Sequence, residues 1–146
     1  MDGMNKMGTR AVYFFEDDDG MYGVYKHYDG YPLGAAHHIK AAKYYAWKFP
    51  RFEADEFASA FVAANKPENG GEIRLLPLFE HASTRQVMED HRWCDYYYRV
   101  SFDKDIGDLV VHTFESYYDD DVQETLWKLV SFLPHKQMLD AYAEAS

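Results

Sequence analysis

Two side chains that could do acid–base or metal chemistry stand two positions apart in the stretch KHYDGYP, residues 26–32. His27 and Asp29 would share one face at the end of an extended strand, because side chains alternate along a strand. An imidazole beside a carboxylate can act as a general base or supply the first two ligands of a metal ion. A zinc or iron site needs a further ligand, and His37 or His38, at the start of the helix predicted to follow, could supply it.

The same stretch also has the composition of a structural turn, and we favour this interpretation. Asp29 would cap the turn or the next helix, Gly30 would supply a positive φ, and Pro32 would fix the direction in which the chain enters the helix. His27 would then hydrogen-bond within the junction. A third interpretation is a pocket for a small ligand or nucleotide, walled by the nearby tyrosines Tyr25, Tyr28 and Tyr31.

Other catalytic patterns are missing from the sequence. Cys94 is the only cysteine, so the chain can form no internal disulfide and no Cys-x-x-Cys site, which is typical of a cytoplasmic protein. The acids beside Cys94 are expected to raise the pKa of its thiol. No phosphate-binding glycine loop, no Gly-x-Ser-x-Gly elbow and no His-Glu-x-x-His pair is present. The sequence therefore favours a protein that is not an enzyme and predicts no cofactor.

The charge and the aromatic content indicate what the chain binds. Its formal net charge is −10, with 25 acidic and 15 basic residues, and it contains 13 Tyr, 10 Phe and 3 Trp. Excess negative charge disfavours unaided binding to a nucleic-acid backbone or to an anionic membrane. The expected partner is a protein with a basic surface, which tyrosine rings would help to anchor. The oligomeric state is left open.

Local clusters concentrate both signs of charge. Two acidic clusters are predicted to be solvated turns and caps, with a negative docking face as the functional alternative. Their members are Glu16, Asp17, Asp18 and Asp19, and Tyr117, Tyr118, Asp119, Asp120 and Asp121. The basic local cluster consists of Lys40, Lys43, Lys48 and Arg51.

Two β-hairpins are predicted from runs of β-branched and aromatic residues joined by short turn-forming loops. They cover residues 11–28 and 95–115. Between them we predict helices over 35–49 and 53–67 and an additional edge strand within 72–79.

Residues 121–133 have apolar side chains at helical spacing behind Asp121 as a candidate N-cap, and they predict a further helix. A terminal helix is predicted after Pro134. The predicted fold class is α+β, with an antiparallel sheet of four or five strands and helices packed on one face, in the order β-β-α-α-(β)-β-β-α-α.

The length of 146 residues is typical of a single domain. We expect a disordered leader over residues 1–9, with translation able to start at more than one Met, and one domain over 10–146. No apolar run in the sequence is long enough to span a membrane.

The elements HYDGYP and DYYYRV resemble those of small uncharacterised proteins of phages and mobile elements, over residues 12–34 and 95–102. The resemblance implies a small cytoplasmic protein, in the host cytoplasm if phage-encoded, and an accessory protein or inhibitor that binds a host factor. Leu33 stands where that motif usually has an acid. The leading hypothesis is therefore macromolecular binding without catalysis. The alternatives are a metal-assisted hydrolase or nuclease-like enzyme centred on His27 and Asp29, and a small-ligand or nucleotide-binding module.

Overall fold

The computed structural model of the protein describes residues 9–67, 72–76 and 83–145. The predicted leader over 1–9 therefore lies, apart from Thr9, outside the described residues. The elements in chain order are β1 (Ala11–Glu16), β2 (Met21–Lys26), α1 (Pro32–Tyr45), α2 (Ala54–Asn65), β3 (Ile73–Leu76), α3 (Thr84–Asp90), β4 (Tyr96–Asp103), β5 (Asp108–Asp119), β6 (Glu124–Pro134) and α4 (His135–Ala145).

Within these residues the fold is α+β, and its six strands form one mixed sheet in the order β3-β2-β1-β4-β5-β6. The prediction of an antiparallel sheet with four or five strands is wrong. β1 is antiparallel to β2 but parallel to β4, with Tyr13 opposite Tyr98. The parallel pair joins the two predicted hairpins side by side, and local sequence patterns carry no information about such a long-range contact.

β6 corrects the second part of the predicted topology. Residues 124–134 form an antiparallel partner of β5, although their apolar spacing predicted a helix. The predicted N-cap Asp121 lies instead in the tight turn between β5 and β6, where Gln123 has a left-handed backbone (φ 56°). Pairing with β5 satisfies the backbone groups on one side of this segment, and such tertiary pairing overrides a helical pattern.

Side chains alternate between two faces of the sheet, and each face has its own apolar cluster. On one side, called here the helix face, Tyr13, Phe15 and Tyr98 pack with residues of α1 and α2, and Met138 of α4 joins the same cluster. On the opposite side, called here the second face, Phe14 and Tyr97 pack with Val87 of α3. The prediction that all helices pack on one face is therefore also wrong, because α3 covers the second face.

The three longer helices cover the helix face side by side. α2 contacts β1, β2 and β3, α4 contacts β5 and β6, and α1 contacts both neighbouring helices. The second face has only the short α3 above it among the described helices. No helix within the described ranges is both long and apolar enough to cross a membrane.

Candidate functional site

The stretch HYDGYP forms the junction between β2 and α1, and hydrogen bonds join it to the sheet. The amide of Gly30 donates to the carbonyl of Thr9 (2.8 Å), and the Tyr98 hydroxyl donates to the carbonyl of Gly30 (2.5 Å). A Cβ at position 30 would lie 2.6 Å from the Cβ of Ala11, so the close approach requires glycine. The left-handed residue is Asp29 (φ 58°) and not Gly30, which corrects the role predicted for this glycine.

The start of α1 also differs from the predicted capping. Pro32 is the first helical residue, as its fixed φ favours, and Tyr31 is the N-cap residue without a side-chain cap bond. Asp29 therefore does not occupy the N-cap position of α1. Of the other two tyrosines considered as pocket walls, Tyr25 lies on β2 and packs on Trp93 (5.4 Å between ring centroids). Tyr28 follows the end of β2 and meets the ring of His27 edge-on.

The histidines considered for a metal site have different surroundings. His27 Nδ1 lies 2.7 Å from the Tyr25 hydroxyl, and His37 is exposed on α1. His38 is buried, and burial together with the charges of Lys26 and His37 lowers its pKa to about 3. Among the residues that the structure describes, no group of three His, Cys, Asp or Glu side chains is placed to hold a metal ion.

Cys94 is buried in the cluster on the second face. Burial, and after it the charge of Asp95, raises the pKa of Cys94 to about 12. A thiol with this pKa stays protonated at neutral pH, and only a thiolate is a good nucleophile. Cys94 is therefore part of the core.

In the first acidic cluster, Glu16 and Asp17 form hydrogen bonds that stabilise the fold. Glu16 accepts a 2.6 Å hydrogen bond from Arg99, which is also an ion pair. Asp17 accepts hydrogen bonds from the amides of Asp19 and Gly20 in its own turn and from the amide of Ala54 at the start of α2. Asp18 and Asp19 remain exposed.

The second acidic cluster forms the tip of the β5–β6 hairpin. The carboxylate of Asp119 accepts hydrogen bonds from the amides of Asp121 and Val122, so Asp119 stabilises the turn. Asp120 and Asp121 are exposed. Because β5 is antiparallel to β4 and β4 is parallel to β1, this tip and the β1–β2 turn lie at opposite ends of the sheet. The two acidic clusters therefore do not form one docking face.

The β5–β6 hairpin extends beyond the end of β4, the strand that pairs with β5. β4 pairs with β5 only as far as Tyr96 opposite Glu115, whereas β5 and β6 continue to pair as far as Asp119 opposite Glu124. Two contacts to the α3 region hold the extension: the Trp127 indole donates to the carbonyl of Met88 (2.8 Å), and Arg92 pairs with Glu124 (2.9 Å).

A group of large apolar side chains is exposed on β6. Leu129, Val130 and Phe132 are 53%, 40% and 58% exposed, and β6 is an edge strand of the sheet. Leu129 and Phe132 lie on the second face, since their partners on β5 are Phe114 and His112. Phe132 stacks on the His112 ring with 4.1 Å between centroids.

We call eight of the exposed residues of this hairpin the hairpin surface, and define it as Tyr117, Tyr118, Asp120, Asp121, Val122, Leu129, Val130 and Phe132. The sequence indicated its tip but not its apolar part, because the predicted helix turned Leu129 and Val130 toward a core. The strand-forming content of residues 124–134, with four β-branched or aromatic side chains, was the signal that could have revealed it.

Comparisons of the chain with protein-family models, with curated proteins and with solved structures find no match.

Proposed function

We propose that this chain is a protein-binding domain that docks its partner on the hairpin surface. The observation that carries the proposal is the contiguous exposure of Leu129, Val130 and Phe132 on the edge strand β6. Contact of large apolar side chains with water is unfavourable, and such groups on a protein surface mark interaction sites. A partner that covers them would remove that apolar area from water.

The shape of β6 favours docking through side chains over the addition of a further strand. The pairing of β5 with β6 shifts register between Thr113 and Phe114, so Val130 is an extra residue that bulges from the strand. Bulges and exposed lysines interrupt an edge for strand pairing, and Lys128 is exposed beside the bulge. The partner is therefore expected to place an apolar element against Leu129 and Phe132.

The acidic tip of the hairpin would contribute an electrostatic contact to binding of the partner, beside the apolar contact. Asp120 and Asp121 are exposed with Tyr118, and the chain carries a net charge of −10. From Leu129 to Glu124 the strand covers about 17 Å at its usual rise per residue. Both regions therefore fit within one interface of common size, about 800 Å² per partner. A basic patch on the partner, beside its apolar element, would meet the tip.

The proposed partner is a host protein factor, and the chain would act as an accessory protein or inhibitor in the host cytoplasm. This part of the proposal is supported by the resemblance of HYDGYP and DYYYRV to elements of small phage and mobile-element proteins. The acidic surface agrees with a protein partner more than with nucleic acid, because like charges repel the phosphate backbone.

Site-specific photocrosslinking in living cells tests the proposal. A photoreactive phenylalanine analogue is placed at Leu129 or Phe132, and at Leu75 and Ile106 as matched controls, which are 72% and 53% exposed at the opposite edge and at the β4–β5 turn. We expect one discrete crosslinked protein from positions 129 and 132 and none from 75 and 106. Crosslinks of equal yield at all four positions, or none at 129 and 132, would contradict the proposal.

A matched pair of leucine variants measures how much the apolar contact contributes to the affinity for the partner. Leu129→Ser is expected to weaken binding of the crosslinked partner by about tenfold or more, as interface anchors do, whereas Leu75→Ser leaves it unchanged. Asp120→Asn with Asp121→Asn is expected to slow association and to reduce its dependence on salt. Urea unfolding should place both serine variants within about 0.5 kcal/mol of the wild type, because both positions are on the surface.

A further inference from the structure

Two adjoining cavities lie at the end of the β5–β6 hairpin opposite its turn. The larger has a volume of about 310 Å³ and the smaller about 240 Å³. Lys43, Lys48 and Lys136 line both cavities. They come from α1, the segment after it, and the first turn of α4, which the chain reaches from β6. The fold therefore adds Lys136 to the basic cluster of the sequence.

The larger cavity is positively charged in a strongly negative protein. Four of the nine lysines of the chain line it, namely Lys40, Lys43, Lys48 and Lys136, and none of the Asp and Glu residues that the structure describes does so. Asp108 in the smaller cavity neutralises only Lys43, with 2.8 Å between the Lys43 ammonium and the carboxylate. Lys40, Lys48 and Lys136 are exposed. Their mutual repulsion costs free energy that a bound anion would remove.

The start of α4 adds to this electrostatic preference. α4 has eleven residues and begins at His135, and its N-terminal amides carry partial positive charge. His135 lines the larger cavity and is completely buried. Its Nε2 donates to the carbonyl of Ala36 (2.8 Å), and its Nδ1 has no hydrogen-bond partner among the described residues. In this tautomer Nδ1 is a buried acceptor.

Aromatic rings stand beside the lysines. Tyr44 lines the larger cavity and is 75% exposed, and Trp47 lines the smaller one. The guanidinium of Arg51 lies 3.5 Å from the centroid of the Trp47 ring and covers it. The Tyr44 ring is therefore the open platform. Flat rings of this kind stack on nucleobases.

We infer that this lysine site binds a nucleotide, with the phosphates among Lys40, Lys48 and Lys136 and the base against Tyr44. The volume of the larger cavity is at the lower end of ligand pockets, about 300–1,000 Å³, which suits a small molecule. A nucleic-acid strand would meet the remaining acidic surface, so a free nucleotide is the favoured ligand. This inference concerns a different surface from the hairpin surface and goes beyond protein binding.

Calorimetric titration with ATP, and separately with inorganic tripolyphosphate, tests the inference. Lys40→Gln with Lys136→Gln is expected to weaken ATP binding by about tenfold or more, because two charge-assisted contacts are lost. Lys104→Gln with Lys128→Gln removes the same charge from exposed lysines that do not line the larger cavity, and should leave ATP affinity nearly unchanged. Both double variants keep the Lys43–Asp108 pair, and thermal unfolding checks that they are folded.

The Tyr44→Ala variant distinguishes binding of the base from binding of the phosphates. We expect it to weaken ATP binding and to leave tripolyphosphate binding unchanged. The inference is overturned if wild-type protein binds neither probe at low salt, or if the two double-lysine variants weaken ATP binding equally. It is also overturned if tripolyphosphate binds as tightly as ATP and Tyr44→Ala affects neither. None of these results depends on whether a protein docks on the hairpin surface.

Discussion

At the scale of single residues, two stacked tyrosines differ in what their hydroxyls contact. Tyr13 and Tyr98 are both completely buried on the helix face, with 5.0 Å between ring centroids. The Tyr98 hydroxyl donates to the carbonyl of Gly30, whereas the Tyr13 hydroxyl has no hydrogen-bond partner among the described residues. Burial raises the pKa of both phenols well above the usual value, so both stay neutral.

Removing these hydroxyls one at a time should therefore change stability in opposite directions. Tyr98→Phe leaves the Gly30 carbonyl without its donor, and we expect the free energy of unfolding to fall by about 1–2 kcal/mol. Tyr13→Phe removes a desolvated hydroxyl that forms no bond, and we expect the free energy of unfolding to stay equal or to rise by up to about 1 kcal/mol. Urea unfolding measures both values. Equal losses in the two variants would show that the Tyr13 hydroxyl is bonded in solution.

At the scale of elements, one carboxylate joins the β1–β2 turn to the start of α2. Asp17 accepts a 2.7 Å hydrogen bond from the amide of Ala54 with one oxygen, and from the amides of Asp19 and Gly20 with the other. Partial burial alone would raise the pKa of Asp17, but these three donors outweigh it and lower the pKa below its usual value. The turn thereby supplies the cap that Glu53, the N-cap residue of α2, does not provide.

Asp17→Ala is expected to lower the free energy of unfolding by about 1–2 kcal/mol, the usual effect of a lost cap. Asp18→Ala is the matched control, because the neighbouring Asp18 is exposed, and it should stay within about 0.5 kcal/mol of the wild type. The stabilisation by Asp17 is present above the unfolded pKa, near 3.9, and is lost as the pH falls below it. If the Ala54 amide exchanges hydrogen faster in Asp17→Ala but not in Asp18→Ala, the lost stability comes from the start of α2. Equal losses of unfolding free energy in the two variants would contradict the capping role of Asp17.

At the scale of the whole molecule, buried histidines link stability to pH. His135 is completely buried between β6 and α1, and burial lowers its pKa to about 4. His38 is buried on α1 with a pKa of about 3. In the unfolded chain both would have pKa values near 6.5. As the pH falls, these histidines are protonated in the unfolded chain before they are protonated in the folded protein. The stability that comes from their lowered pKa values is therefore complete above about pH 6.5 and is lost as the pH falls toward the pKa values of the folded state.

We therefore expect the free energy of unfolding to decrease between pH 7.5 and pH 5, with a measurable share from His135. His135→Gln keeps an amide donor near the position of Nε2 but cannot titrate. The decrease should be smaller in this variant than in the wild type by roughly 2 kcal/mol at pH 5, from the linkage between pKa and stability. Urea unfolding at both pH values measures the difference, and contributions from other groups cancel between the proteins. Identical pH dependence would mean that His135 is not buried as a neutral ring.

The local sequence was sufficient where a signal acts on its own neighbours. The aspartates and Gly20 between β1 and β2, and Pro32 at the start of α1, constrain the backbone within a few residues, and the β1–β2 hairpin and α1 were found close to their predicted positions. The acidic tip and the basic cluster were equally visible, because charge can be read from composition. Their functions stay predictions that the proposed experiments test.

Only the tertiary structure decided how the elements meet. The segment from Val122 to Leu133 suits a helix or a strand by its own pattern, and pairing with β5 determined that it is a strand with exposed apolar side chains. The parallel pairing of β1 with β4, and the approach of Lys136 to Lys40 and Lys43, likewise depend on long-range contacts. Sequence periodicity reports which side of an element is apolar. It does not report which partner covers that side, because burial is collective and the partner lies far along the chain.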